Sequence, residues 1–309
     1  MNRQKIWESW DRFASSVRDV AEAEWSQRKG ELFRYFGKLP PTIYVGDYPL
    51  KTALIATLPA IFFMTFFQFF HFWQWLLSPN PIPFIHLDAL EHWLFGCLPH
   101  QVVSRYTHPA LDILAAIPYL MHFILPFGYP AYCYYHRKKL GNTIEPALRG
   151  FWLGGLVASF AVLFQFTFPT SPPWYNESAV YAEDGTVISY AFNEAGFQRI
   201  DALIKMPLFR EIYSNAPVTH GSFPSLHAAF PAIIFFNGSW VAHGGWKFGL
   251  FHCCLISWAA LYSHHHYLID ILAGWALSFT LFTIYTRVWN PFTKKDVTVV
   301  KYAPLQEQV

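Results

Sequence analysis

Six apolar stretches, at 52–78, 110–135, 149–169, 225–242, 247–262 and 267–290, are each near the roughly 20 residues a helix needs to cross about 30 Å of hydrocarbon. A bilayer offers no water to a stray backbone N–H or C=O, so an apolar run of this length crosses as a helix with every main-chain bond made inside it. The expected fold is all-α: a polytopic membrane bundle of about six transmembrane helices. Only 14% of the 309 residues are charged and 53% are hydrophobic, against about a quarter charged in a soluble domain. A net charge of +2 leaves no basic footprint for nucleic acid. Cys97, Cys133, Cys253 and Cys254 form neither a disulfide framework nor a CxxC pair.

The spans divide the chain into an N-terminal segment, 1–51, a membrane domain, 52–290, and a tail, 291–309. Within 1–38, Trp7, Trp10, Phe13, Val17, Ala21 and Trp25 recur at helical spacing opposite Arg12, Arg18, Glu22 and Arg28. That pattern fits either a helix lying in the membrane surface or one packed on the cytoplasmic ends of the spans.

Orientation follows from Lys and Arg, which are retained on the cytoplasmic side. Counted from the N-terminal segment onward, alternate connections carry eighteen and four of these residues. Both termini are therefore expected in the cytoplasm. The 79–109 loop, the long 170–224 loop and the His264-His265-His266 turn fall on the opposite face, lumenal or extracellular. Leu87–Val103 reads as an amphipathic stretch along that interface, and Glu183–Ile188 as a small hairpin. Asn176-Glu177-Ser178 is a glycosylation sequon close to the membrane.

Two polar motifs share this face although forty residues separate them, because the fourth and fifth spans carry the chain away and back. In the first, Gly221-Ser222-Phe223-Pro224-Ser225 runs into an apolar helix at Leu226-His227. Hydroxyls and unpaired amides at a helix start make a cradle for an anion. In the second, His266 and Asp270 are four apart, so on a helix the carboxylate can accept the imidazole's second N–H. That is the arrangement of an oriented nucleophile. His264 and His265 either line the same pocket or belong to a solvated turn. Three consecutive histidines cannot all point at one ion from a helix, so no metal and no cofactor is expected. Asp112 and His122, ten apart in the second span, are intramembrane ionisable groups and hence functional suspects, or partners in a buried hydrogen bond.

Phe223-Pro224-Ser225-Leu226-His227 and His266-Tyr267-Leu268-Ile269-Asp270 resemble the second and third signatures of the type 2 phosphatidic acid phosphatase (PAP2) superfamily. Phe168-Pro169 with Pro172-Pro173-Trp174-Tyr175, Ala195–Asp201, Tyr213-Ser214-Asn215 and Leu111–Leu114 with Pro118-Tyr119 and His122 follow the order of the fungal inositol phosphorylceramide synthases, which this chain resembles from about residue 90 to 285. The resemblance implies a PAP2-like bundle and a lipid phosphotransferase. Phosphoinositol would pass from phosphatidylinositol to ceramide or another lipid alcohol, with release of diacylglycerol. It also implies roles: His266 takes the phosphoryl group, Asp270 orients it, and His227 protonates the leaving alkoxide. From the residues themselves, Ser222, Ser225 and the backbone of the turn from Gly221 are expected to hold the phosphate oxygens, with His265 as a further substrate-binding candidate. The alternative is a lipid phosphate phosphatase that uses water as acceptor.

The sequence departs from the phosphatase pattern at Leu226, where glycine is usual, and at Ala260, where arginine is usual; the Lys-x6-Arg-Pro signature is missing. Arg199 is the best remaining cation for the phosphate, with Lys205 and Arg210 behind it. Fewer fixed cations suit a singly charged phosphodiester better than a monoester. An accessory membrane subunit is a possible partner. The expected site faces the lumen of the Golgi or another endomembrane in a eukaryote, and the periplasm across an inner membrane in a bacterium.

Overall fold

The computed structural model describes residues 44–45, 48–77, 87–138, 143–177, 179–181, 187–190, 194–216, 218, 221–240 and 245–292. The expected amphipathic helix over 1–38 and the tail beyond 292 lie outside the described residues. The chain forms two compact units, one of residues 56–282 and one of the flanking segments 1–55 and 283–309. The larger unit carries every residue of the site.

A two-stranded ladder, β1 (Tyr44–Val45) and β2 (Tyr48–Pro49), precedes helix α1 (Leu50–Gln68). Helix α2 (Phe70–Leu77) follows at once. The first expected span is thus divided at Phe69, yet Phe69 N still donates to Thr65 C=O at 3.2 Å and Trp73 N to Phe69 C=O at 3.0 Å. Helical bonding runs through the irregularity.

The interfacial stretch resolves into α3 (Asp88–Phe95) and α4 (Pro99–Val103). Gly96 ends α3 with φ +70, a left-handed conformation that favours glycine. Helix α5 (Pro109–Tyr135) starts where proline suits the first turn, and the His108 ring accepts the Ala110 N–H at 3.1 Å. Helix α6 (Glu145–Thr167) begins with Thr143 Oγ1 accepting Glu145 N and stops before Phe168-Pro169.

The long loop holds α7 (Pro173–Glu177), then an antiparallel pair, β3 (Ala179–Tyr181) and β4 (Val187–Tyr190), which is the expected hairpin. A 3₁₀ turn at Ala195–Phe197, α8 (Gln198–Ile204) and α9 (Leu208–Ser214) complete it. Last come α10 (Leu226–Trp240), α11 (Gly245–Tyr262) and α12 (Leu268–Arg287).

Helices α5, α6 and α12 are long and apolar enough to cross a membrane. Helix α10, at 15 residues, is shorter than a full span, and α11 has 18. Ile117, Leu120, Phe123, Ile124 and Phe127 are exposed along α5, an apolar face that fits contact with lipid rather than water. Helix α6 sits inside, with Leu153, Val157, Ala161 and Val162 fully covered.

Two close approaches set the frame of the site. Gly155 lies so near Pro59 and Ala60 of α1 that a Cβ there would meet Ala60 N at 2.6 Å, and Ser159 Oγ donates to Pro59 C=O at 2.8 Å. Gly274 of α12 faces the Ser225 carbonyl, where a side chain would collide, and Ser278 Oγ donates to Ala229 C=O at 2.8 Å. The first of these joins α6 to α1, and the second packs α12 against the start of α10. Above them the Asp201 carboxylate accepts Phe209 N and Arg210 N, both at 2.9 Å, and fastens α9 to α8. Phe197 and Phe209 stack at 4.2 Å in a core with Tyr119, Ile256 and Ala259.

Candidate active site

His227 is the second residue of α10, and His266 and Asp270 flank the first turn of α12. The close packing of those helix starts brings the two motifs into contact. Ser225 N donates to Asp270 C=O at 3.0 Å, His227 Nδ1 is 3.2 Å from His266 Nε2, and His266 Nδ1 is 3.3 Å from Asp270 Oδ2. Asp270 is fully buried, and its Oδ2 also accepts Tyr267 N at 2.9 Å.

This chain fixes the tautomers. A carboxylate only accepts, so His266 carries its proton on Nδ1 and presents a lone pair at Nε2. His227 is therefore the donor across the 3.2 Å contact. A lone pair on His266 Nε2 thus faces a proton on His227 Nδ1. The His227 ring rests against Tyr119 and His122 of α5, at centroid distances of 4.3 and 4.2 Å.

A cavity of about 560 Å³ opens from these rings. Its polar end holds His227, His265, His266, Ser222 and Gln165. Gln68, His122 and Asn215 also line it, and much of the remaining wall is apolar, with Phe63 and Phe67 from α1, Phe123 and Phe127 from α5, and Phe151 from α6. Among the described residues no Lys or Arg lines it.

Several expected phosphate ligands are placed otherwise. Arg199 donates from Nε to Asp112 Oδ1 at 2.8 Å, lies over the Tyr262 ring at 5.1 Å, and is not part of the cavity wall. Lys205 and Arg210 are exposed and also absent from that wall. The amides of the 221–225 turn are largely committed: Ser222 N to Thr170 C=O at 3.4 Å, Phe223 N to Thr170 Oγ1 at 2.9 Å, and Ser225 N to Asp270. The Ser225 hydroxyl accepts Ala228 N at 3.3 Å and so caps α10. The anion cradle read from the sequence is thus mostly an internal brace. Gly221 and Ser222 do reach the cavity, although the Ser222 hydroxyl is 3.0 Å from that of Thr170.

His265 lines the cavity with Tyr213 at 4.6 Å and Phe197 at 5.0 Å, and burial pushes its pKa down to about 3. It is neutral at ordinary pH and supplies no fixed positive charge. Its Nδ1 lies 3.1 Å from the Ser263 carbonyl and so carries the proton, which leaves Nε2 an acceptor, matched to a hydroxyl better than to a phosphate oxygen.

Asp112 resolves as a partner in a buried hydrogen bond. Its Oδ1 accepts from Tyr262 Oη at 2.8 Å as well as from Arg199, tying α5 to α11 and to the loop that carries Phe197 over the histidines. If Arg199 acts through Asp112, the two side chains are coupled. Arg199→Ala combined with Asp112→Ala then loses no more than about threefold beyond the worse single variant. Steady-state turnover of the four proteins checks this, and independent losses that multiply would return Arg199 to the phosphate.

The site consists of paired histidines backed by a buried carboxylate, at one end of a helical bundle built for a membrane. Residues 85–284 match the model of the PAP2 superfamily, and the chain belongs to it. It is 32% identical over 214 residues to the inositol phosphorylceramide synthase catalytic subunit of Schizosaccharomyces pombe, covering 66% of this chain and 47% of that protein. The inositol phosphorylceramide synthase of Candida albicans is 31% identical over 227 residues, 68% of this chain and 44% of its own length. The chain therefore spans about half the length of these fungal relatives. The phosphoinositol dihydroceramide synthase of Bacteroides thetaiotaomicron is 27% identical over 251 residues, 75% of this chain and 76% of that protein. No solved structure matches.

Proposed function

We propose that this chain is a lipid phosphotransferase that works through a phosphohistidine on His266, moving phosphoinositol from phosphatidylinositol to a ceramide-type lipid alcohol. One observation carries the reading: the 3.2 Å and 3.3 Å contacts that link His227, His266 and Asp270 open directly onto an apolar cavity. A lipid can put its phosphate at the rings and its chains along α1, α5 and α6.

His266 Nε2 attacks phosphorus, the bond to the diacylglycerol oxygen breaks, and His227 gives that oxygen its proton. The ceramide hydroxyl then attacks the phosphohistidine diester, His227 takes the hydroxyl proton, and the P–N bond breaks. In-line attack needs phosphorus about 3–3.5 Å from Nε2, so the His227 ring swings off His266 to admit the group. With no Lys or Arg among the described lining residues, a monoanionic diester is the better-matched donor. This favours transfer from a phospholipid over hydrolysis of a phosphomonoester. The uneven Lys and Arg distribution supports a site on the lumenal or periplasmic face.

The test supplies purified protein with labelled phosphatidylinositol, with and without ceramide. Inositol phosphorylceramide should form only with the acceptor present, and diacylglycerol should match it beyond the single equivalent released when His266 is charged. Release of inositol phosphate at the same rate in its absence would make the protein a hydrolase.

A further inference from the structure

The α12 helix that presents Asp270 begins at Leu268, with no Ser, Thr, Asn or Asp just before it to cap its first amides. The residue before it is Tyr267, whose N–H is taken by Asp270 Oδ2. The next two amides, Leu268 N and Ile269 N, both donate to Oε1 of Glu91, the latter at 3.3 Å. Glu91 lies in α3 and is fully buried, although its neighbours Leu90, Trp93 and Leu94 are exposed. Its other oxygen is 3.6 Å from His100 Nδ1 of α4. The His100 ring stands edge-on to Tyr267 at 5.4 Å and to His264 at 5.2 Å.

A carboxylate 177 residues before Leu268 thus closes a helix start that local sequence leaves open. The turn carrying His266 is gripped from two sides. Ser225 N and His227 hold it from α10, and the Glu91–His100 pair holds it from the interfacial helices. Catalytic groups must be kept within about 0.5 Å of the productive geometry. Helix starts fray when their amides lack acceptors.

We infer that Glu91 is a positioning residue for the nucleophile, fixing His266 by accepting the Leu268 and Ile269 amides. The inference rests on His266 being the nucleophile. Its test uses as reference whatever phospholipid turnover the wild-type chain supports, transfer or hydrolysis, so failure of the proposed acceptor is not failure of this inference.

Glu91→Gln keeps an acceptor oxygen at the same reach without the carboxylate charge. Glu91→Asp keeps the charge and withdraws the oxygen by one methylene. Both are measured as kcat and KM per folded molecule, with folding followed by thermal unfolding in detergent. The glutamine variant should stay within about tenfold of wild-type kcat, whereas the aspartate variant falls by about 10²-fold, the scale of a 1 Å misplacement. KM should hold in both, because the walls from α1, α5 and α6 are untouched. Wild-type kcat in Glu91→Asp, a rise in KM in place of the fall in kcat, aspartate matching or outperforming glutamine, or failure of both variants to fold would each overturn the inference.

Discussion

Replacing His266 with alanine should abolish phosphotransfer, and replacing His227 with alanine should lower it by about 10²–10⁴-fold, the usual worth of general acid–base help. The two losses separate by leaving group. Departure of diacylglycerol as an alkoxide needs a proton, so His227→Ala stalls at the first step. A phosphodiester with a nitrophenolate leaving group needs none. His227→Ala should then release about one equivalent of nitrophenol in a burst and turn over slowly, because deprotonation of the acceptor is still missing. His266→Ala should give no burst with either donor. The fold survives both changes, since Asp270 keeps the Tyr267 amide and its carbonyl keeps Ser225 N. Stopped-flow absorbance measures the burst, and a burst in His266→Ala would reverse the assignment of roles.

Asp270→Asn should cost activity on the order of 10⁴-fold while leaving the protein as stable as before or more so. The carboxylate Oδ2 accepts from both Tyr267 N and His266 Nδ1. An asparagine has one acceptor oxygen, which the Tyr267 amide claims, and its NH₂ then faces the ring. That geometry moves the histidine proton to Nε2, the atom that must attack; a carboxylate-to-amide change that yields the wrong tautomer costs about 10⁴ in kcat elsewhere. Stability moves the other way because Asp270 is fully buried, and its Oδ1 has no hydrogen-bond partner among the described residues. Burying a neutral amide is cheaper than burying that charge. Turnover and unfolding temperature measured on one preparation check both signs, and activity within tenfold of wild type would reduce Asp270 to a helix cap.

How much of this could be read from sequence depends on the range of each interaction. The His266–Asp270 pair is local, four residues apart across the start of one helix, and spacing alone predicts it. The meeting of His227 with His266 follows from topology, because two intervening helices return the chain to the face it left. Arg199 could not be placed the same way. Its partner is Asp112, 87 positions away, and nothing in either segment's pattern marks that pairing above a phosphate contact. The amides of the 221–225 turn looked unpaired because Thr170, which accepts two of them, lies across the long loop.

Glu91 left a readable trace. Leu87 and Glu91 are four apart on one helical face, and both are buried while Leu90, Trp93 and Leu94 point out. A carboxylate on the inward face of an amphipathic stretch needs a buried acceptor's role, which names a partner without saying which.

The most direct measurement is to quench the protein during exposure to phosphatidylinositol labelled in its phosphate, with no acceptor lipid, and map the label by mass spectrometry under conditions that preserve P–N bonds. The account predicts a phosphoinositol adduct on His266, lost in His266→Ala and discharged by ceramide. Label on another side chain, or turnover with none on the protein, would contradict it.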